Sequence, residues 1–143
     1  GKKTQLSGIM AKEKYGAIFS ARNSIRLEVT WDGDVSDMVR CKYIMKAYEK
    51  DNILDNVNRQ SKAIMAGLSG IEEILNLRNC GLIIGFDLSS SQKRDILVEK
   101  LYKNGLICNK TGTKSIRLRP NLNLNKHEVD HALQIFKGTI KQC

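Results

Sequence analysis

A chain of 143 residues is long enough for one ordinary domain with its own core, and an apolar share of 41% excludes disorder by composition. No stretch approaches the length of a membrane span and no apolar leader core opens the chain, so the cytoplasm is the expected compartment. The net charge of +9 raises the prospect of a nucleic-acid partner, but the 24 Lys and Arg run evenly from Lys2 to Lys141 with no basic block, so a solvated lysine-rich surface is expected.

Residues 1–33 show apolar side chains (Leu6, Ile9, Met10, Ile18, Phe19) without a sustained period, and "TWDG" at 30–33 reads as a turn. A helix is predicted next, with Ser36 as N-cap, Asp37 in the first turn and an apolar stripe of Met38, Cys41, Met45 and Tyr48. "EKDN" at 49–52 suggests its end. A second helical pattern carries Val57, Ile64, Leu68, Ile71 and Leu75 on one face. Gly67 and Gly70 weaken it by about 1 kcal/mol each unless a close contact uses them.

"CGLIIGFDL" at 80–88 is short and apolar, which predicts a buried strand. "SSSQKRDILVEKLYKNG" supplies serine caps, the apolar Ile96, Leu97 and Leu101, and a stop at Gly105, hence a helix. "LICNK" predicts a second strand. "SIRLRP" alternates Ile116 and Leu118 against Arg117 and Arg119 and ends at the only proline, which predicts a third strand near a sheet edge. "NKHEVDHALQIFKGTIK" predicts a terminal helix. Helices packed on a small sheet make the expected class α+β.

Two chemical signals need weighing. The cysteines Cys41, Cys80, Cys108 and Cys143 are scattered and form no C-x-x-C pair, so free thiols are expected. "HEVDH" at 127–131 has the H-E-x-x-H spacing of zinc hydrolases. The apolar stripe of that helix is Val129, Ala132, Leu133, Phe136 and Ile140. At helical pitch His127 and His131 fall about 160° to either side of Val129, on the back of the helix. There is no third histidine, so no metal site is expected.

In the order "GKKTQLSGIM", "VTWDGDVSDMVRCKYIMKAYEKDNILDN", "RNCGLIIGFDL" and "SIRLRPNLNLNKHEVDHAL", the chain resembles the C-terminal portion of class III pyridoxal-phosphate-dependent aminotransferases, most of all the lysine 6-aminotransferase subgroup. The resemblance covers essentially the whole chain. It implies the small C-terminal domain of a fold-type I enzyme: residues 1–33 end the large cofactor-binding domain, 34–58 form a connecting helix, and 59–143 form the small domain. It implies transfer of the 6-amino group of L-lysine, or of a similar ω-amine, to 2-oxoglutarate in a homodimer, with pyridoxal 5′-phosphate as cofactor.

By the same resemblance Lys2 is the catalytic lysine that bonds the cofactor, with Lys3 the competing assignment. Thr30 meets the cofactor phosphate across the dimer interface. Arg117 grips a substrate carboxylate, for which a planar guanidinium is suited. Three departures stand out, one of them a slightly shorter linker between Lys2 and Thr30. Asp32-Gly33-Asp34 replaces Gly-Gly-Asn, which puts two carboxylates near a phosphate site unless they point away, and Arg78-Asn79-Cys80-Gly81 replaces Arg-Gly-x-Gly. The family's other cofactor contacts precede the lysine, so an upstream half is the expected partner and the chain alone is expected to be inactive. The rivals are a non-catalytic interaction domain of the same fold and, less favoured, a basic nucleic-acid-binding module.

Overall fold

The computed structural model describes residues 12–15 and 33–142. The chain divides into two units, Gly1–Asp51 and Asn52–Cys143. The division falls between two helices. Lys2, Lys3 and Thr30 lie outside the described residues.

Among the described residues of the first unit, the α-helix is α1, Val35–Lys50. Its N-cap is Asp34, not Ser36: the Asp34 carboxylate accepts hydrogen bonds from the Ser36 and Asp37 backbone N–H groups at 2.8 and 3.1 Å. A carboxylate at this position satisfies orphan donors and complements the helix dipole, so it displaces the serine. This use of Asp34 also accounts for one of the two acidic departures in the turn.

The second unit runs α2 (Ile53–Ser69), β1 (Leu75–Cys80), β2 (Ile83–Asp87), α3 (Ser91–Lys103), β3 (Asn109–Thr111), β4 (Ser115–Leu118) and α4 (Lys126–Ile140). All pairs in the four-stranded sheet are antiparallel, in the order β1-β2-β4-β3. The class is α+β, as expected. Three particulars differ from the sequence reading. The helical pattern stops at Ser69, and Leu75 begins a strand of its own. That strand, β1, turns into β2 through Gly81, whose φ of +55° suits glycine in a tight hairpin. And β4 is an inner strand, because Pro120 lies beyond its end and costs no ladder bond.

One face of the sheet makes the core. Ile84, Phe86 and Ile116 project into it and are fully buried, as are Leu97 and Leu101 of α3. Leu68 of α2 and Val129 and Phe136 of α4 close it. Phe86 and Phe136 meet edge to face, with ring centroids 5.6 Å apart. Helices α2 and α4 approach closely at Gly67, where Leu133 occupies the space a side chain would need. The close contact that justifies this glycine is therefore present.

Polar pins hold the layers. Asn56 of α2 donates to the Leu122 and Leu124 carbonyls, both at 2.9 Å, and so fastens the connection between β4 and α4. Ser61 donates to the Gly81 carbonyl at 2.7 Å and accepts from Asn79, tying α2 to the hairpin. Ser90 caps α3 by accepting from the Lys93 N–H. Asn125 and Glu128 form a reciprocal capping box at the start of α4.

Candidate functional site: the outer face of the sheet

Side chains alternate across a strand, so burying Ile84, Phe86 and Ile116 sends their neighbours to the opposite face. Registers then assemble two rows there. Arg78, Gly85, Arg117 and Asn109 stand opposite one another across β1, β2, β4 and β3. Asp87, Ser115 and Thr111 form the adjacent row. The alternation expected of "SIRLRP" thus places Arg117 on this polar face.

Asp87 is the most heavily bonded group on it. Asn76 Nδ2 donates to Oδ2 at 2.9 Å, and Ser115 Oγ donates to Oδ1 at 2.6 Å. Both terminal nitrogens of Arg78 reach Oδ1 at 3.3 Å. Hydrogen bonds from Asn76 and Ser115, joined by the bond and charge of Arg78, hold the carboxyl down at about 2 against the opposite pull of burial. Arg78 also donates to the Asn76 carbonyl at 2.8 Å. Its guanidinium lies beside Gly85, about 3.6 Å from where a Cβ would be.

Arg117 is different. Its Nε is buried and has no hydrogen-bond partner among the described residues. None of the ion pairs among those residues includes it. A buried guanidinium nitrogen left without a partner is costly, and an incoming carboxylate offers the planar acceptor pair that relieves it. The sequence singled out Arg117. It did not single out Asp87, Ser115 or Asn76, which only the strand registers bring together.

The other sequence candidates resolve as follows. His127 and His131 are exposed on the outer side of α4, their rings stacked with centroids 6.4 Å apart. Glu128, the second residue of the "HEVDH" signature, is engaged in the capping box. No cluster of possible metal ligands exists among the described residues. Cys41, Cys80 and Cys108 are free thiols, and burial pushes Cys108 up to about 11. No helix among the described residues is long and apolar enough to cross a membrane.

Comparison with known proteins identifies the family. The sequence profile of the family described as aminotransferase class-III matches residues 4–140. An L-lysine-epsilon aminotransferase of Amycolatopsis lactamdurans is 30% identical, over 98% of this chain and 33% of its own length. A mitochondrial 4-aminobutyrate aminotransferase of Mus musculus is 28% identical, over 97% of this chain and 28% of its own length. Among solved structures, lysine aminotransferase from M. tuberculosis in the internal aldimine form superposes with a TM-score of 0.84 at 27% identity, covering 99% of this chain and 34% of that one. The chain therefore spans about a third of the length of the relatives it matches.

Proposed function

Because the chain belongs to the class III aminotransferases, we propose that it serves as the C-terminal third of a cytoplasmic, homodimeric enzyme that moves the 6-amino group of L-lysine, or a similar ω-amine, to 2-oxoglutarate. Residues 1–33 would close the large cofactor-binding domain, and the sheet unit would form the small domain. The lysine-specific relatives at 28–30% identity support the donor. The 4-aminobutyrate enzyme supports the broader class of ω-amines.

The observation that carries the proposal is the unpartnered Nε of Arg117 on the polar face of the sheet. It fits the carboxylate that both lysine and 2-oxoglutarate present, through the planar fork that arginine alone supplies. Pyridoxal 5′-phosphate, when bound, supplies the carbonyl that takes up the amine and the ring that accepts electrons. Lys2 would hold the aldehyde carbon of that cofactor and Thr30 its phosphate. The described residues bear on the substrate side of the reaction, and there Arg117 fits.

The test is Arg117→Lys in the full-length enzyme. The ammonium keeps the charge and loses the fork, so oxo-acid or lysine use should weaken by about 2 kcal/mol in kcat/KM, the order of a charged hydrogen bond. Unchanged kinetics with both substrates would reject the assignment and move suspicion to Arg119.

A further inference from the structure

Arg78 and Arg117 both stand opposite Gly85, one on each flanking strand. Asp87 lies two residues along β2 from that glycine, on the same face, and is therefore diagonal to both arginines. Diagonal neighbours on an antiparallel face are about 7–8 Å apart, within reach of a long side chain. Register thus offers one carboxylate two guanidiniums. It pairs with Arg78, and Arg117 Nε stays without a partner among the described residues.

The surroundings account for this choice. Ser115, on the strand that carries Arg117, already donates to Asp87 Oδ1 at 2.6 Å. Asn76 takes Oδ2 and, through its own carbonyl, also anchors Arg78 Nη1. The missing side chain of Gly85 opens the lane along which the Arg78 guanidinium lies. For Asp87 to turn to Arg117, it would have to give up bonds it already makes. A tethered carboxylate that did turn would compete with substrate at a high effective concentration.

We propose that Asn76, Arg78 and Ser115 are positioning residues that hold Asp87 away from Arg117 and so keep Arg117 open for a substrate carboxylate. The proposal rests on reading Arg117 as the carboxylate-binding residue. Arg78 is the member to remove first, because its side chain is 55% exposed and its loss leaves the core intact.

The experiment is Arg78→Gln combined with Ser115→Ala in the full-length enzyme, with and without Asp87→Asn; together the two changes free Asp87 Oδ1, which both groups hold. Released from both, Asp87 pairs with Arg117, so KM for 2-oxoglutarate rises about fivefold to tenfold while kcat moves by less than about twofold. Asp87→Asn in the same background removes the competing charge and restores KM. An unchanged KM in the double variant, or a raised KM that Asp87→Asn does not restore, overturns the proposal.

A second readout needs no activity. In the 143-residue chain, NMR coupling across a hydrogen bond should link the Asp87 carboxyl carbon to Arg78 in the wild type and to Arg117 in the Arg78→Gln, Ser115→Ala double variant. Coupling that never reaches Arg117 overturns the partition. If Arg117→Lys leaves oxo-acid kinetics unchanged, the substrate role of Arg117 fails by itself, and the coupling still decides which arginine Asp87 selects.

Discussion

A Cβ on Gly67 would stand 2.5 Å from Leu133 Cδ1 and 2.8 Å from Cδ2, so α2 and α4 touch through a position that has no side chain. Two opposing effects meet there. Alanine in a helix interior is worth about 1 kcal/mol over glycine, whereas overpacking costs about 1–3 kcal/mol. Because the clashing atoms end a flexible side chain, the lower part of that range applies. The two effects nearly cancel, so Gly67→Ala should change stability in urea unfolding by well under about 1 kcal/mol. In a Leu133→Ala background the clash is gone, and the same substitution should stabilise by about 1 kcal/mol. An equal effect in both backgrounds would show that this contact does not offset the helical gain.

Glu128 should matter to stability and its histidine neighbours should not. Glu128→Ala removes half of the capping box and should cost about 1 kcal/mol. His127→Ala and His131→Ala should change the melting temperature little, since both side chains are exposed. Adding zinc or a chelator should leave the melting curve in place. A zinc-dependent rise that either histidine variant abolishes would restore the metal reading.

Asp87 predicts an acid limb in stability. Its folded value near 2 lies below the ordinary 3.8, so its contribution is complete above about pH 4 and is lost as pH falls toward 2. Wild type should therefore exceed Asp87→Asn in stability at neutral pH, and the gap should narrow across that window. A gap that stays constant down to pH 2 would mean that the Asn76 and Ser115 bonds do not favour the ionised carboxylate.

Lys2, and not Lys3, should carry the cofactor when the rest of the enzyme is present. An amine that attacks a carbonyl must be unprotonated, which a desolvated site favours, and only one of two adjacent side chains enters such a site. Borohydride trapping followed by peptide mass mapping locates the bond. A label on Lys3 would reverse the assignment, and none on either lysine would favour a non-catalytic unit. The chain alone, mixed with pyridoxal phosphate, lysine and 2-oxoglutarate, should show no steady turnover.

The sequence exposed some of this architecture and concealed the rest for identifiable reasons. Helix α4 declared its buried face through Val129, Phe136 and Ile140, and that periodicity alone turned both histidines outward. Strand β4 declared Ile116 and Arg117 on opposite faces. Strand β1 did not announce itself, because "LNLRNC" is rich in residues of low strand preference, and the register shifts between Leu75 and Arg78. Leu75 also continued the helical period of Ile71, so the end of α2 was overrun. Asn76, Asp87 and Ser115 are far apart in the chain and have no shared motif. Their convergence follows from strand pairing, which composition and periodicity do not specify.

The order β1-β2-β4-β3 leaves the first and third strands at the margins of the sheet. Neither margin offers a long template for another chain. Strand β3 is three residues long, and β1 is interrupted where Asn76 takes a left-handed conformation at φ 50°. Short or irregular borders deny a foreign strand the run of free N–H and C=O groups that fibrillar stacking requires. The same irregularity that hid β1 from the sequence pattern thus protects the sheet from growing sideways into an aggregate.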